Sequence, residues 1–382
     1  MDFESLFDIP IDDLHTPCYL TDARLLQKNT ALLKQIQQRT GCKILLAQKA
    51  FSMFSAYPLI RDDLAGTTAS GLFEAKLGRE HFGKEVHVFS PAYTQEDFTQ
   101  LLKLCDHIVF NSFGQWKKYR QQVQDATRNI SCGIRINPGY AEVETDLYNP
   151  CISGSRMGVP LEQMEDDFAG LDGIHFHTMC EQNSDVLERT LDHMLPQFDK
   201  WLKRCKWVNF GGGHHITRPD YDVERLVRCI ERVRDTYGVQ VYLEPGEAVA
   251  LNAGYLVATV LDVIHNGMDI AILDASAACH MPDVLEMPYR PHILYSGTAG
   301  EKAYTYRLAG NTCLAGDVIG DYSFDHQLQA GEKLVFCDMA IYSMVKNNTF
   351  NGVPLPDIAL YQDGQIQLVK RFGYIDFEGR LS

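Results

Sequence analysis

Apolar and polar residues follow a repeated pattern between residues 43 and 245. Short apolar segments end in polar residues or glycine, and most are separated by helix-length stretches with an apolar residue every three or four positions. The eight segments are KILLAQK, GTTAS, EVHVFS, HIVFNS, CGIRINP, GIHFHT, WVNFGGG and VQVYLEP. Eight alternations of strand and helix predict a (β/α)8 barrel, a fold in which active-site residues project from the carboxyl ends of the strands.

The pattern changes after about residue 250. The segments that follow are rich in β-branched and aromatic residues and contain few long helical periods: GYLVATVLDVIH, DIAILDAS, KAYTYRLA, KLVFCDMAIYSM and QIQLVKRFG. We therefore predict an α/β protein with a barrel domain over residues 23–250 and a C-terminal all-β domain over residues 251–382. The early segment TPCYLTD, within residues 1–22, is expected to add a strand to the β domain.

Composition narrows the class of protein. The 382 residues, of which 45% are apolar, can build a substantial core, and the formal net charge of -15 would repel nucleic acids and anionic lipids but suits cationic small molecules. The acidic N-terminus does not resemble a signal peptide, and no run of about 20 apolar residues predicts a membrane span. The eleven cysteines include no C-x-x-C pair, which disfavours a zinc knuckle or a disulfide framework. We expect a cytoplasmic protein with mostly buried, reduced cysteines.

Lys49 ends the first predicted barrel strand. Leu45, Ala47 and Lys49 share one strand face, so the amine points into the barrel mouth. One interpretation is a lysine that extends its ammonium group into water. The other is a desolvated amine with a lowered pKa, which would attack carbonyl groups.

Two later strand ends carry residues suited to binding a ligand. Gly211, Gly212 and Gly213 would let the backbone approach a ligand closely, and their amides could bind a phosphate, although a tight turn would also explain them. Glu244 closes a strongly apolar strand and would face the barrel mouth. The alternative for Glu244 is a carboxylate on a surface loop.

The segment HFH, with His175 and His177, admits two interpretations. The first is a metal site completed by histidines from other segments, for which the candidates are His214, His215 and His280. The second is a flat imidazole, that of His177, stacked on an aromatic ligand. We favour the second and predict no metal, because barrel metal hydrolases usually carry the H-x-H pair on the first strand, where this chain has Lys49.

Together these motifs resemble a known family. A lysine on the first barrel strand, HFHT, GGG, EPG and a late TC-x-x-GD followed by MAIYSMVKNNTFNG resemble the fold-type III decarboxylases that use pyridoxal 5'-phosphate, which include ornithine and diaminopimelate decarboxylases. The resemblance covers nearly the whole chain. The branch that acts on carboxynorspermidine and carboxyspermidine is the most similar, in the segments TDLYNPC, FHTMCEQNSD, NFGGGHHIT, HMPDVLEMPYRP and CLAGDVIGDYSF.

The resemblance implies a role for each residue by its position. Lys49 would bind the cofactor covalently, and His177 would stack on its pyridine ring. Glu244 would pair with the pyridine nitrogen, which keeps the ring a good electron acceptor when the C–COOH bond breaks. The residues implied to hold the phosphate are Gly211, Gly212, Gly213 and Tyr342.

The resemblance also implies a homodimer with active sites at the subunit interface. Cys313 resembles a cysteine that the neighbouring subunit donates, and its thiol could reprotonate the α-carbon of the substrate. Asp317 and Asp274 occupy places where relatives hold the distal amine of the substrate. Ornithine decarboxylases have an arginine three residues after the glutamate of EPG, whereas this chain has Glu247, which disfavours ornithine.

The implied activity is that of a pyridoxal phosphate-dependent carboxy-lyase that converts carboxynorspermidine and carboxyspermidine to the corresponding triamines of polyamine biosynthesis. The alternatives are a decarboxylase of ornithine, lysine or diaminopimelate with the same fold, and a non-catalytic regulatory homologue. Lys49, Glu244 and Cys313 together disfavour a binding-only homologue, and Glu244 disfavours a racemase. Further carboxylates that could suit a cationic substrate are Glu142, Glu144, Asp146, Asp283 and Glu286.

Overall fold

The computed structural model describes Glu4 and residues 7–382. The remainder of the predicted N-terminal segment 1–22, residues 1–3, 5 and 6, lies outside the described residues. The chain divides into two compact units. One unit is Gln27–Val249, and the other joins the chain up to Leu26 with Ala250–Ser382.

Strands form the framework of both units. In chain order they are β1 Cys18–Asp22, β2 Lys43–Ala47, β3 Gly66–Ala69, β4 Glu85–Phe89, β5 His107–Phe110, β6 Ser131–Asn137, β7 Val159–Pro160, β8 Gly173–His175, β9 Trp207–Asn209, β10 Gln240–Leu243, β11 Gly254–His265, β12 Asp269–Leu273, β13 Gly297–Thr298, β14 Tyr304–Ala309, β15 Val318–Phe324, β16 Lys333–Cys337, β17 Asp357–Gln362 and β18 Gln365–Lys370.

The longer helices lie mostly between the strands of the first unit. In chain order the helices are α1 Ala23–Thr40, α2 Tyr57–Ile60, α3 Leu72–Leu77, α4 Gln95–Leu104, α5 Phe113–Gln124, α6 Ser184–Leu202, α7 Val223–Tyr237, α8 Glu247–Ala250, α9 Ala277–His280, α10 Asp283–Glu286 and α11 Tyr374–Glu378. A π-helical turn, Gly78–Phe82, continues α3, and short 3₁₀ turns lie at Phe54–Ala56, Asp146–Tyr148, Leu161–Gln163 and Phe350–Gly352.

Helix α7 shows how local sequence sets the helix ends. The Asp222 side chain accepts a hydrogen bond from the amide of Arg225, which caps the first turn. Gly238 ends the helix with φ at 65°, a left-handed conformation that glycine adopts without a steric penalty. Between these residues the buried side chains recur every three or four positions, so one helix face packs inward: Leu226, Val227, Cys229, Ile230 and Val233.

The first unit is a closed parallel barrel of eight strands, which confirms the predicted fold. The ring runs β5-β4-β3-β2-β10-β9-β8-β6 and closes by pairing β6 with β5. The Trp207 indole fills part of the barrel interior. A Cβ atom at Gly133 or at Gly173 would lie within 2.3 Å of the Trp207 ring, so glycine at both positions leaves room for the indole.

A polar cluster lies inside the barrel at the amino ends of the strands. Glu85 forms an ion pair with Lys43, and its Oε2 atom lies 3.2 Å from Nε2 of His87. The rings of His87 and His107 stack in parallel with centroids 3.9 Å apart. The hydroxyl of Tyr242 lies 3.3 Å from Glu85. We call Lys43, Glu85, His87, His107 and Tyr242 the barrel-floor cluster.

The second unit is built on a mixed sheet of nine strands. Strand β1 lies in the middle of this sheet, antiparallel to β11 and parallel to β17, so the early segment joins the later strands as the sequence predicts. The long strand β11 also pairs with β16 along its first half and with β12 along its second half. Both faces bear buried apolar side chains, among them Tyr19 on one face and Leu20 on the other.

The cysteines are all free, and eight of the eleven are buried, as predicted. Cys151 and Cys180 are half-buried, and Cys313 is exposed. Within the described part of the chain, no helix is both long and apolar enough to cross a membrane.

Candidate active site

A cavity lies where the carboxyl ends of the barrel strands meet, and it brings together four residues that the sequence singles out. Lys49 follows β2, His177 follows β8, Gly212 follows β9, and Glu244 follows β10 directly. All four line the cavity. Parallel strands of a barrel end at the same rim, which explains why residues so distant in the chain converge here.

Lys49 opens onto the cavity, whereas its neighbours Gln48 and Ala50 are buried. The surrounding protein atoms remove water from the amine and lower its pKa, and the positive charge of Arg135 lowers it further. Glu244 acts in the opposite direction but does not outweigh these effects. Lys49 is thus exposed to the cavity and has a lowered pKa, which favours the interpretation of a nucleophilic amine.

His177 is held in one orientation by the glycine segment. The amide of Gly212 donates a hydrogen bond to Nδ1 of His177, at 2.8 Å. Since Nδ1 accepts this bond, a proton on the neutral ring resides on Nε2. Burial lowers the pKa of His177 well below its usual value, and the charges of Lys49 and Arg135 act in the same direction. The ring is thus a neutral, flat wall of the cavity.

Glu244 is buried, and each of its carboxylate oxygens faces a donor. The side-chain amide of Asn209 donates to Oε1 at 2.8 Å, and Nε2 of His175 lies 3.2 Å from Oε2. Burial alone would raise the pKa of Glu244, but the facing His175 and Asn209 overcome this effect and hold the pKa below its usual range. A carboxylate is therefore maintained inside the barrel.

The structure adds two residues to the cavity, Arg135, which the sequence analysis did not name, and His175, which it considered only as a metal ligand. Arg135 is only 3% exposed and lines the cavity, with its guanidinium 4.6 Å from the ring centre of Phe89. It donates to the carbonyl oxygen of His177 at 3.2 Å, and its Nε atom has no hydrogen-bond partner among the described residues. His175 is the second. The signal for Arg135 was its place at a strand end, in CGIRINP, and the signal for His175 was its position two residues before His177.

The three successive glycines are required by close backbone approaches. Gly211 and Gly213 have φ values of 69° and 82°. A Cβ atom on Gly211 would lie 2.4 Å from the carbonyl oxygen of Phe176, and one on Gly213 would lie 1.9 Å from that of Met179. The amide of Gly211 donates to Asn209, as that of Gly212 does to His177, so two of the three amides already have acceptors within the barrel.

The other predicted site residues belong to the second unit. Cys313 is exposed, and its amide donates to Oδ1 of Asn351 at 2.7 Å. Tyr342 is half-buried and has a left-handed backbone with φ at 51°. Asp274 accepts hydrogen bonds from the Thr16 hydroxyl at 2.6 Å and from the Thr259 amide at 2.8 Å.

Asp317 is 2% exposed, and both of its carboxylate oxygens accept hydrogen bonds. Oδ2 accepts from the hydroxyls of Ser276 and Thr312 at 2.8 and 2.6 Å, and Oδ1 lies 3.1 Å from the amide nitrogen of Ala278. This carboxylate links the segment that carries Cys313 to Ser276 and to the first turn of α9.

The additional carboxylates that the sequence suggested for a cationic substrate fall into two groups. Glu142 forms a bidentate pair with Arg189, with both N···O distances at 2.7 Å. Asp283 and Glu286 both pair with Lys346. The exposed Glu144 and Asp146 form the second group, for neither takes part in an ion pair with any described residue.

Comparison with known proteins agrees with this geometry. Residues 18–340 match the family described as pyridoxal-dependent decarboxylase, C-terminal sheet domain. The carboxynorspermidine/carboxyspermidine decarboxylase of Campylobacter jejuni subsp. jejuni serotype O:6 is 42% identical over 97% of this chain and 99% of that protein. The carboxyaminopropylagmatine decarboxylase of Synechocystis sp. is also 42% identical, over 97% of this chain and 96% of that protein.

A solved structure is similar over the same length. The crystal structure of carboxynorspermidine decarboxylase from Campylobacter jejuni, complexed with norspermidine, superposes with a TM-score of 0.89 at 41% identity, covering 96% of this chain and all of that one. The barrel, its lysine-bearing cavity and these matches lead to one conclusion: the chain belongs to the family of pyridoxal-dependent decarboxylases.

Proposed function

We propose that this protein binds pyridoxal 5'-phosphate and decarboxylates carboxynorspermidine and carboxyspermidine, releasing carbon dioxide with norspermidine or spermidine. The observation that carries the cofactor chemistry is the convergence of Lys49, His177 and Glu244 on one cavity. The substrate class is supported by the full-length relative from Campylobacter jejuni, which bears that name.

The residues of the cavity fit the cofactor chemically. An amine of lowered pKa suits its aldehyde, a neutral imidazole suits its ring face, and a buried carboxylate suits its ring nitrogen. Gly212 keeps the wall close and flat, because a Cβ atom there would lie 2.6 Å from the carbonyl oxygen of Glu244 and 3.4 Å from Cε1 of His177. When bound, the cofactor supplies an acceptor for the electrons left by the breaking C–COOH bond.

Each residue then has a defined task. Lys49 binds the cofactor aldehyde, and His177 fixes the position of the ring. Glu244 holds a proton at the ring nitrogen. The residues proposed to hold the phosphate are those implied by the resemblance, Gly211, Gly212, Gly213 and Tyr342, with the Gly213 amide as the most suitable of the glycine amides because the other two already have acceptors.

We include in this proposal a cytoplasmic homodimer in which Cys313 completes the site of the partner subunit. The exposure of Cys313 and of the adjacent apolar Leu314 supports a contact surface at this segment. The thiol would donate a proton to the α-carbon of the substrate after carbon dioxide has left. Asp317 and Asp274 remain the proposed carboxylates for the distal amines.

A second substrate has equal support by identity. Carboxyaminopropylagmatine ends in a guanidinium group where carboxynorspermidine ends in an amine, and the Synechocystis relative of that name matches this chain as well as the first relative does. The two candidates differ at the distal end of the substrate, far from the bond that breaks.

The test is a set of parallel incubations of the purified holoenzyme. Carboxynorspermidine, carboxyspermidine, carboxyaminopropylagmatine, diaminopimelate, ornithine and lysine would each be supplied, with the product identified by mass. The proposal expects the highest kcat/KM with carboxynorspermidine or carboxyspermidine. Preference for carboxyaminopropylagmatine would select the second candidate, and preference for an amino acid or no product at all would overturn both.

A further inference from the structure

We propose that His175 is a positioning residue for Glu244: a neutral His175 donates its Nε2–H to Oε2, and Asn209 donates to Oε1, so that Glu244 stays an oriented acceptor for the cofactor ring. The proposal rests on the proposed function for the role of Glu244 toward the ring. The pair of donors His175 and Asn209 is called the carboxylate clamp.

The backbone register places the clamp. His175 pairs with Asn209 between β8 and β9, and Asn209 pairs with Tyr242 between β9 and β10, two residues before Glu244. His175 and Asn209 are 2% and 0% exposed. Both donors therefore lie on strands next to each other, closer to the barrel interior than Glu244, and they bind its carboxylate from that side.

The orientation of the Asn209 amide follows from its second bond. Its Oδ1 atom accepts from the amide of Gly211 at 2.8 Å, so its Nδ2 group must be the one that faces Glu244. Oε1 of Glu244 is then an acceptor. An inverted side-chain amide would set Oδ1 against Oε1 and Nδ2 against the Gly211 N–H, and would lose both bonds.

The tautomer of His175 follows from its two ring nitrogens. Nε2 faces the carboxylate, and Nδ1 is buried without a hydrogen-bond partner among the described residues. A proton on Nδ1 would leave a buried donor unsatisfied and would aim the Nε2 lone pair at the negative carboxylate. A proton on Nε2 avoids both costs and makes Oε2 an acceptor as well.

Burial, reinforced by neighbouring positive charges, favours the neutral form of this imidazole. Arg135 pairs with His175 in the register of β6 and β8, and both residues contact the ring of Phe89, so the cation and the imidazole lie close together. Lys49 adds a second basic group to the same cavity. Burial lowers the pKa of His175, and although Glu244 opposes this effect, Arg135 and Lys49 reinforce it.

The clamp has a consequence for catalysis. Each carboxylate oxygen uses one lone pair for the clamp and retains another, which leaves Glu244 able to accept an N–H from the ring but not to supply one. Loss of the His175 donor would make the carboxylate more basic and less well oriented. The effect should therefore fall on turnover and not on the binding of substrate.

Three variants separate positioning from mere packing. His175→Leu removes the donor and keeps a similar volume, while His175→Gln restores an N–H at a similar reach. His87→Leu is the matched control, because His87 is also 2% exposed and also lies 3.2 Å from a glutamate oxygen, but within the barrel-floor cluster and not in the cavity.

Kinetics on the holoenzymes test the clamp. His175→Leu should lower kcat by about 10- to 100-fold, the effect of losing a hydrogen bond to a charged group, with KM changed less than about threefold. His175→Gln should recover most of kcat, and His87→Leu should keep it. Equal kcat for wild type and His175→Leu would overturn the proposal, as would an equal loss in His87→Leu.

A second measurement needs no activity. Nitrogen-15 NMR can be recorded on cofactor-free protein labelled at its thirteen histidines. The signal of His175 is the one that is missing from the spectrum of His175→Leu. The expected signal is that of a neutral Nε2–H ring at pH 7 and above. A charged ring or an Nδ1–H ring at pH 7 would overturn the clamp even in an active enzyme. An inactive wild type with the expected signal would instead reject the proposed function and leave the clamp standing.

Discussion

The carboxylate of Asp317 accepts a hydrogen bond from the hydroxyl of Thr312 at 2.6 Å, across the segment that contains Cys313. The same oxygen accepts a hydrogen bond from Ser276, and the other oxygen accepts one from the amide of Ala278. The carboxylate thus joins the two ends of the segment, Thr312 and Asp317, and ties them to the region around α9. The position of the exposed thiol therefore depends on a carboxylate buried next to it.

This relationship predicts the effect of Asp317→Ala. The change leaves two hydroxyls and an amide without their acceptor, so we expect the free energy of unfolding to fall by about 3 kcal/mol and kcat to fall with it. If Asp317 holds the Cys313 segment, KM should change little. Measured kcat and KM for carboxynorspermidine decide the point, because a carboxylate that binds the distal amine would raise KM instead. Asp321→Ala, which removes only an ion pair with Arg307, is the control.

Cys313→Ala should slow formation of the amine product and leave cofactor binding intact. Once carbon dioxide has left, a misplaced donor allows protonation at the cofactor instead of at the substrate α-carbon, which yields a carbonyl product and aminated cofactor. Product analysis by mass should detect both. Wild-type rates with only the amine product would remove Cys313 from catalysis.

Mixing an inactive variant with a slowed one tests whether Cys313 acts across subunits. Random exchange between Lys49→Ala and Cys313→Ala dimers leaves half of the molecules mixed, each with one intact site, so activity should recover to about a quarter of wild type. Native mass spectrometry would verify the exchange. Mixed dimers without activity would place the thiol in the site of its own chain or outside catalysis.

Lys49→Ala should abolish covalent attachment of the cofactor. The wild-type protein should absorb visible light, and treatment with borohydride should fix a pyridoxyl group to Lys49, detectable by peptide mass. Lys43→Ala is the matched control, since Lys43 begins the strand that Lys49 follows and pairs with Glu85 in the barrel-floor cluster. Retained label in Lys49→Ala, or a colourless wild type with added cofactor, would contradict the assignment.

Glu244→Ala should retain the cofactor but lose on the order of 10²-fold or more in turnover, because the carboxylate acts on charge that develops in the transition state. Steady-state kinetics and cofactor content together check this result. Glu224→Ala, which removes a glutamate paired with Arg39 on the surface, should behave as wild type. Unchanged turnover in Glu244→Ala would mean that another group serves the ring nitrogen.

The barrel-floor cluster predicts a pH dependence of stability. Burial lowers the pKa of His107 from 6.5 to about 3, and the facing His87 and Lys43 act in the same direction, against Glu85 and Asp106. Below pH 6.5 His107 binds a proton in the unfolded chain but not in the folded chain. The contribution of His107 to the free energy of unfolding is therefore complete above pH 6.5 and declines as the pH falls toward 3. Between pH 7 and pH 5 the loss should be about 1–2 kcal/mol.

The variant His107→Phe keeps an aromatic ring in the stack and cannot be protonated. Its free energy of unfolding, measured with urea, should therefore decline less than that of wild type between pH 7 and pH 5. Titration of Glu85 changes the stability mainly below pH 5, because the pKa of Glu85 is about 2 in the folded protein. The exposed His265→Ala variant should follow the wild-type curve, and parallel curves for all three proteins would refute the assignment to His107.

The sequence predicted the barrel because its signals are local. Each strand is a short apolar run that ends in a polar residue, and Lys49 and Glu244 stand at such ends, so the period of a strand and the rule that barrel strands end at one rim were sufficient. Arg135 also stands at a strand end, in the segment CGIRINP, but the sequence analysis assigned it no task. Its task depends on Phe89 and on the carbonyl of His177, contacts between strands that no local pattern reveals.

Partners across strands also supply what the sequence left open. For the segment HFH a metal pair was weighed against a stacked imidazole, and in the structure His175 faces Glu244 and His177 faces Gly212. The sequence likewise did not show that Asp317 is buried or that it accepts hydrogen bonds from the hydroxyls of Ser276 and Thr312. Hydrogen-bond partners far along the chain decide whether a polar residue is available for a ligand, and a single sequence does not specify them.

The position of β1 has a consequence for synthesis on the ribosome. Strand β1 is synthesised early, whereas its partner β17 is the second-last strand of the chain. The whole barrel is therefore translated before β1 can pair with β17. At about 5–20 residues per second, that delay is on the order of tens of seconds. The nascent chain thus carries an apolar strand with unpaired edges while the barrel is completed, a species open to wrong pairing or to a chaperone. Truncation just before residue 357 should permanently leave unpaired the edge of β1 that β17 covers, while β11 can still pair with the other edge.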